Sequence, residues 1–191
     1  MHCLLWQFAR LLITDLLSLM PTTKKFSFSS AESEEGPAND WRLLSYRWMG
    51  GDRVLEARFG HRLASELDWA EAVEEGLPTE ALEAVMEQGT LFWKNLSWKE
   101  IGTLVIPRRT FSHRKEKGEP LTAEESDRLV RLVRAVAKAK ETFQNEEKAS
   151  RWLKKENRAL GGRTPLEVLK TESGARLVEN VLGRVAHGVY S

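Results

Sequence analysis

The chain has 191 residues, 41% of them hydrophobic and 30% charged, with a formal net charge of +1. That length fits one or two small domains, and the near-neutral total excludes a partner selected by global charge, so any electrostatic argument has to be local. The single cysteine, Cys3, excludes an internal disulfide, nothing stands at metal-ligand spacing, and the chain reads as cytoplasmic, with no cofactor expected.

The first run, "CLLWQFARLLITDLLSLM", is apolar but is interrupted by Gln7, Arg10 and Asp15. A membrane span needs about 20 largely apolar residues, and a signal peptide needs a basic start and a small-residue cleavage site. An amphipathic helix is expected instead, and no membrane partner. Met20 and Met49 are alternative starts that would leave this leader outside the native sequence. Residues 21–40, rich in Ser, Thr, Glu, Pro and Gly, read as a linker or disordered segment. Residues 41–60 carry aromatics without a clean period and give no element assignment.

From residue 62 onward helical periodicity dominates. Leu63, Leu67 and Ala70 predict the inner face of a helix stopped by Gly76. Thr79 is the expected N-cap of the next, with Leu82, Val85 and Met86 inside and Gly89 at its end. Ser97 and Glu100 form a capping box before Ile101 and Leu104. Pro107 suits the first turn of a further helix. Thr122 and Glu125 form another box, opening a long helix whose stripe is Leu129, Leu132, Val133, Val136 and Ala139. That stripe serves either as ordinary core or as a dimer seam. Asn145 caps a shorter helix with Trp152 and Leu153. In "RALGGRTPLEVL", residues 158–169, Gly161 and Gly162 end one helix, and Thr164, Pro165 and Glu167 start another. Thr171 caps a last helix with Val178, Val181, Leu182 and Val185 inside, ended by Gly188. No alternating strand pattern of useful length is present, so the expected fold class is all-α.

Charge is polarised along the chain. Residues 64–87 hold eight Asp/Glu and no Lys or Arg, whereas "RRTFSHRKEK", residues 108–117, holds five Lys/Arg against one Glu. Two short helices joined by a tight turn match the helix-turn-helix arrangement, whose second helix enters the major groove. Arg108 and Arg109 at its start suit guanine edges, and Thr110, Ser112, Arg114 and Lys115 suit phosphates, with His113 as a phosphate neighbour. A solvated basic helix explains the same residues. The turn lacks the usual glycine and has Val105 instead, so it must form without a residue that takes positive φ easily. No phosphate-cradling glycine loop, nucleophile elbow or His/Glu zinc pair is present, so no catalytic residue or metal is assigned.

The C-terminal stretch from Glu146, with its Trp152–Leu153 pair, "NRALGGRTPL", "TESGA" and "LGRVAHGVY", resembles the toxin-binding domain of Xre/MbcA/ParS-type antitoxins. "IPRRTFSHRKEKGEPLTAEESDRLVRLVRAVAKA" resembles the Xre-like helix-turn-helix and linking helix of the same proteins. The resemblance covers roughly residues 77–191 and implies a helical bundle with a helix-turn-helix and a small C-terminal toxin-binding domain. It divides the chain into a variable, partly disordered extension (1–60), the helix-turn-helix and dimerisation region (61–143) and the toxin-binding domain (144–191). It further implies the antitoxin half of a type II pair in a bacterium. The usual partner is a RES-domain toxin that degrades NAD⁺. The antitoxin obstructs the toxin's active site, forms a homodimer and represses its own operon by binding operator DNA. The tail Val189, Tyr190 and Ser191 either folds back or intrudes into the toxin, with Arg184 and His187 beside it as toxin contacts. Arg158 and Arg163 either bond helix-terminal carbonyls or reach the toxin. A helix-turn-helix regulator without a toxin partner is the alternative reading.

Overall fold

A computed structural model of the chain describes residues 40–88 and 91–188. Every named element among them is helical, in agreement with the all-α expectation: α1 (Trp41–Trp48), α2 (Ala57–Phe59) after a π-helical turn Asp52–Glu56, α3 (Glu66–Glu75), α4 (Thr79–Gln88), α5 (Leu91–Lys94), α6 (Trp98–Leu104), α7 (Arg108–Lys117), α8 (Ala123–Phe143), α9 (Glu146–Lys154), α10 (Pro165–Val168) and α11 (Glu172–Ala186). The readings for residues 1–39, Gly89 and Val189–Ser191 lie outside the described residues.

α8 organises the rest. The Thr122 hydroxyl accepts from the Glu125 amide and the Glu125 carboxylate accepts from the Thr122 amide, so two otherwise unpaired donors are satisfied at its start. Its 21 residues run about 30 Å at the helical rise of 1.5 Å per residue. Leu129, Leu132, Val133, Val136 and Ala139 are all buried within the single chain, as are Val130, Ala135 and Ala137 on its flanks. Burial extends well around the helix because α1, α3, α9 and α11 all pack on it. The stripe is therefore core, and the dimer-seam alternative for it is overturned. Gln144 ends the helix in the left-handed conformation (φ 49°), and the Asn145 side chain accepts from the Lys148 amide to start α9 at once.

The segment that periodicity left unassigned, residues 41–60, joins this core. Asp40 caps α1, and Trp41 stacks at 6.0 Å on Trp69 of α3. Tyr46, Trp48, Met49 and Leu55 are buried.

Three element-level expectations are corrected. Leu67 is 66% exposed and Ala70 is also exposed, while the buried face of α3 is Trp69 and Ala72. The large indole sets the rotation of that helix, since its burial removes more apolar area than a leucine would. Thr79 is not a cap. It lies inside α4 and is 2% exposed, and Pro78 supplies the carbonyl that receives the Ala81 amide at 3.0 Å. The glycine joint is also redistributed. α9 already stops at Lys155, and Gly161 (φ 68°) and Gly162 (φ 77°) instead close the short 3₁₀ turn Arg158–Leu160.

Candidate functional site

α6 and α7 are two short helices joined by a tight turn, the arrangement expected of a helix-turn-helix. Ser97 and Glu100 build the reciprocal cap of α6, and the Ser97 amide holds the Glu100 carboxyl below its ordinary value. The turn answers the question raised by its missing glycine. Val105 sits at φ −125°, and the Val105 and Ile106 amides both donate to the Ile101 carbonyl, at 2.8 and 3.2 Å. Both side chains are almost fully buried, at 1% and 0% exposure. Apolar burial on the inside fixes the turn, so no left-handed residue is needed. Pro107 occupies the N-cap of α7, one residue before the first turn expected for it. Phe111 is buried against Trp98 of α6, with ring centroids 5.2 Å apart, and this contact sets the angle between the two helices.

The basic residues of α7 divide into two groups. Arg108, Arg109, Ser112 and His113 are exposed, and Thr110 is half-buried. The Arg108 guanidinium lies 5.7 Å over the Trp98 ring, which restrains it while leaving its edge open. Arg114 instead turns inward, 3.0 Å from Glu125 and 3.8 Å from Glu119. Lys115 is paired with Glu83 of α4, whose carboxylate, with Glu80 and Glu87 nearby, raises the ammonium pKa. The acidic run 64–87 is thus in part the internal counter-charge of the basic helix. Nothing local in the sequence signals this, because Glu83 and Lys115 are 32 residues apart.

At the C-terminal module, Asn157 and Arg163 form an isolated antiparallel bridge, and the Asn157 amide donates to the Arg163 carbonyl at 3.1 Å. The loop is thereby closed by backbone. Neither the Arg158 nor the Arg163 guanidinium bonds a helix-terminal carbonyl among the described residues, so the structural role considered for them is not what holds the joint. Arg158, Arg163, Arg184 and His187 are all exposed. The exposed Glu167 carboxylate accepts from the Thr164 amide at 2.9 Å, and that bond holds its pKa below the ordinary value. Gly174 of "TESGA" has a steric reason to be glycine: a Cβ there would lie 1.8 Å from the Val168 carbonyl oxygen.

Two family models match the chain. One is described as the antitoxin Xre-like helix-turn-helix domain and covers residues 68–134. The other is described as the antitoxin Xre/MbcA/ParS C-terminal toxin-binding domain and covers residues 138–188. A curated relative from Photorhabdus laumondii, named Antitoxin Xre, is 34% identical over 144 residues, spanning 69% of this chain and 95% of its own. The chain belongs to the Xre antitoxin family. Proteins of the same name from Pseudomonas putida and Yersinia enterocolitica are 42% and 38% identical, over 44% and 45% of this chain. The chain spans only 53% and 59% of the length of those two relatives.

The two Xre family segments meet on α8, and there the structure adds residues that the sequence reading missed. Arg131, only 9% exposed, donates to the Lys170 carbonyl at 3.2 Å, pairs with Asp127 on its own helix and reaches Glu172 at 3.4 Å. Arg134 pairs with Glu179 of α11 at 2.7 Å and lies 5.7 Å over the Trp41 ring. These two arginines anchor the toxin-binding-type module to the helix that also carries the helix-turn-helix. No helix among the described residues is long and apolar enough to cross a membrane.

Proposed function

We propose that the protein is an antitoxin that binds a cognate RES-domain, NAD⁺-degrading toxin through its C-terminal module, occludes the toxin's active site, and represses its own operon through α6 and α7. The observation that supports this best is the placement of two differently exposed surfaces on one helical core. Arg108 and Arg109 open outward at the start of α7, while Arg158, Arg163, Arg184 and His187 stand free on the C-terminal module. Among the described residues, both surfaces present exposed cationic side chains, which suits recognition. Arginine at a recognition-helix N-terminus suits guanine edges, and exposed arginine on a protein surface is enriched among binding hot spots. The protein acts as a homodimer on a symmetric operator, through a surface other than the buried α8 stripe. The tail Val189–Ser191 enters the toxin pocket.

Two experiments test the two arms separately. Arg108→Ala/Arg109→Ala weakens operator binding by about 1–3 kcal/mol per lost bidentate contact and leaves neutralisation intact. Unchanged operator affinity removes α7 from the DNA interface. A chain truncated after Gly183 loses full neutralisation, and complete protection by it rules out the tail as the intruding part.

A further inference from the structure

Outside both family segments, an open cleft of about 690 Å³ lies beside the turn between α1 and the π-helical segment. That volume is in the range of small-ligand sites. Three of its lining side chains, Arg47, Arg53 and Arg62, are guanidinium groups, exposed and without an ion-pair partner within 4 Å among the described residues. The carboxylate at its rim is otherwise engaged. Tyr46, 6% exposed, donates to Asp52 at 2.9 Å, and its hydroxyl also lies 3.3 Å from Glu56. Burial away from water pushes the Tyr46 pKa up first, and the two carboxylates add to it, so the phenol stays a neutral donor. The Arg62 guanidinium stacks 5.5 Å over the Tyr46 ring, which fixes its plane and leaves its N–H edge unused.

The backbone around the cleft is equally specific. Gly50 and Gly51 both have positive φ, 90° and 48°, and a Cβ on Gly50 would lie 2.4 Å from Val54 Cγ2. A π-helical turn follows at once, a form found mostly as single turns and frequently at functional sites.

We propose that this cleft is a phosphate-binding site, in which Arg47, Arg53 and Arg62 hold the oxygens of one phosphate group. Guanidinium forks match phosphate geometry bidentately, and the three that line this cleft outnumber Asp52, its one lining carboxylate, so the cleft keeps an excess of positive charge that favours an oxyanion. The phosphate belongs either to a free phosphorylated molecule or to a nucleic-acid backbone.

The test uses the full chain, inorganic pyrophosphate followed by calorimetry, and a short duplex of random sequence followed by anisotropy. Arg47→Gln/Arg53→Gln is compared with Lys148→Gln/Arg151→Gln, a charge-matched control on exposed α9 positions. If the phosphate is free, the cleft variant loses about tenfold or more in pyrophosphate affinity and the control does not. If it belongs to nucleic acid, duplex affinity falls in the cleft variant well beyond the control, on any sequence. Arg62→Lys keeps the charge but loses the fork, and it weakens whichever probe binds. All variants are required to melt with the parent protein. The proposal is overturned if the cleft variant matches the control with both probes, or if neither probe binds the parent.

Discussion

At Gly174 the fold has no room for a methyl group, since its position would fall 1.8 Å from the Val168 carbonyl oxygen. Gly174→Ala therefore forces α10 and α11 apart and costs about 1–3 kcal/mol by overpacking, read from denaturant unfolding of the full chain. Gly161 is glycine for a different reason. Nothing lies within 4 Å of a Cβ built there, and only its φ of 68° is demanding. Gly161→Ala costs about 1–2 kcal/mol, the penalty of a left-handed alanine. A Gly174→Ala loss well below about 1 kcal/mol contradicts the steric account. The sequence shows that both residues are glycine but cannot show why, because the clash at Gly174 comes from a helix end six residues away in the chain and folded back on it.

The elements most legible in the sequence are those whose ends are decided within four residues. The capping boxes at Ser97, Thr122 and Thr164 and the caps at Asn145 and Thr171 all form as read, because each needs only a side-chain oxygen and a nearby amide. Thr164→Ala destabilises the C-terminal module by about 1 kcal/mol in denaturant unfolding. The partner carboxylate gives a pH signature. Its folded pKa is depressed, chiefly by the Thr164 amide, so its contribution is whole above the ordinary value of 4.5 and is lost as pH falls through the depressed value. Glu167→Gln flattens the loss of stability below about pH 4.5, and a variant with the parent's acid profile contradicts this. Leu67 and Thr79 each fit a local pattern that a neighbour overrides, by side-chain size in one case and by a backbone bond in the other. The burial of Trp69 turns Leu67 outward, and the Pro78 carbonyl starts α4 before Thr79 can cap it.

At the scale of the whole molecule, the all-α class and the order of helices from residue 62 were readable from period and punctuation. The role of residues 41–59 was not, because their aromatics pack on partners as remote as Trp69 and Arg134 and on a π-helical turn with no period of its own. The site residues divide in the same way. Exposure at Arg108 and Arg109 follows from helix position alone, while the internal pairing of Arg114 and Lys115 needs the fold. The contacts by which Arg131 ties α8 to Lys170 and Glu172 are likewise a product of the fold. Arg131→Met leaves the Lys170 carbonyl without that donor and costs about 1–3 kcal/mol in thermal or denaturant unfolding. The proposed function has the C-terminal module silence a toxin by covering its NAD⁺ site. The proposal is tested most directly by following NAD⁺ hydrolysis by a purified RES-domain toxin of the same bacterium, titrated with the full chain and with Arg158→Glu/Arg163→Glu. Hydrolysis is predicted to fall to background at stoichiometric full chain and to persist with the charge-reversed variant. Undiminished hydrolysis by toxin saturated with the full chain would contradict the account.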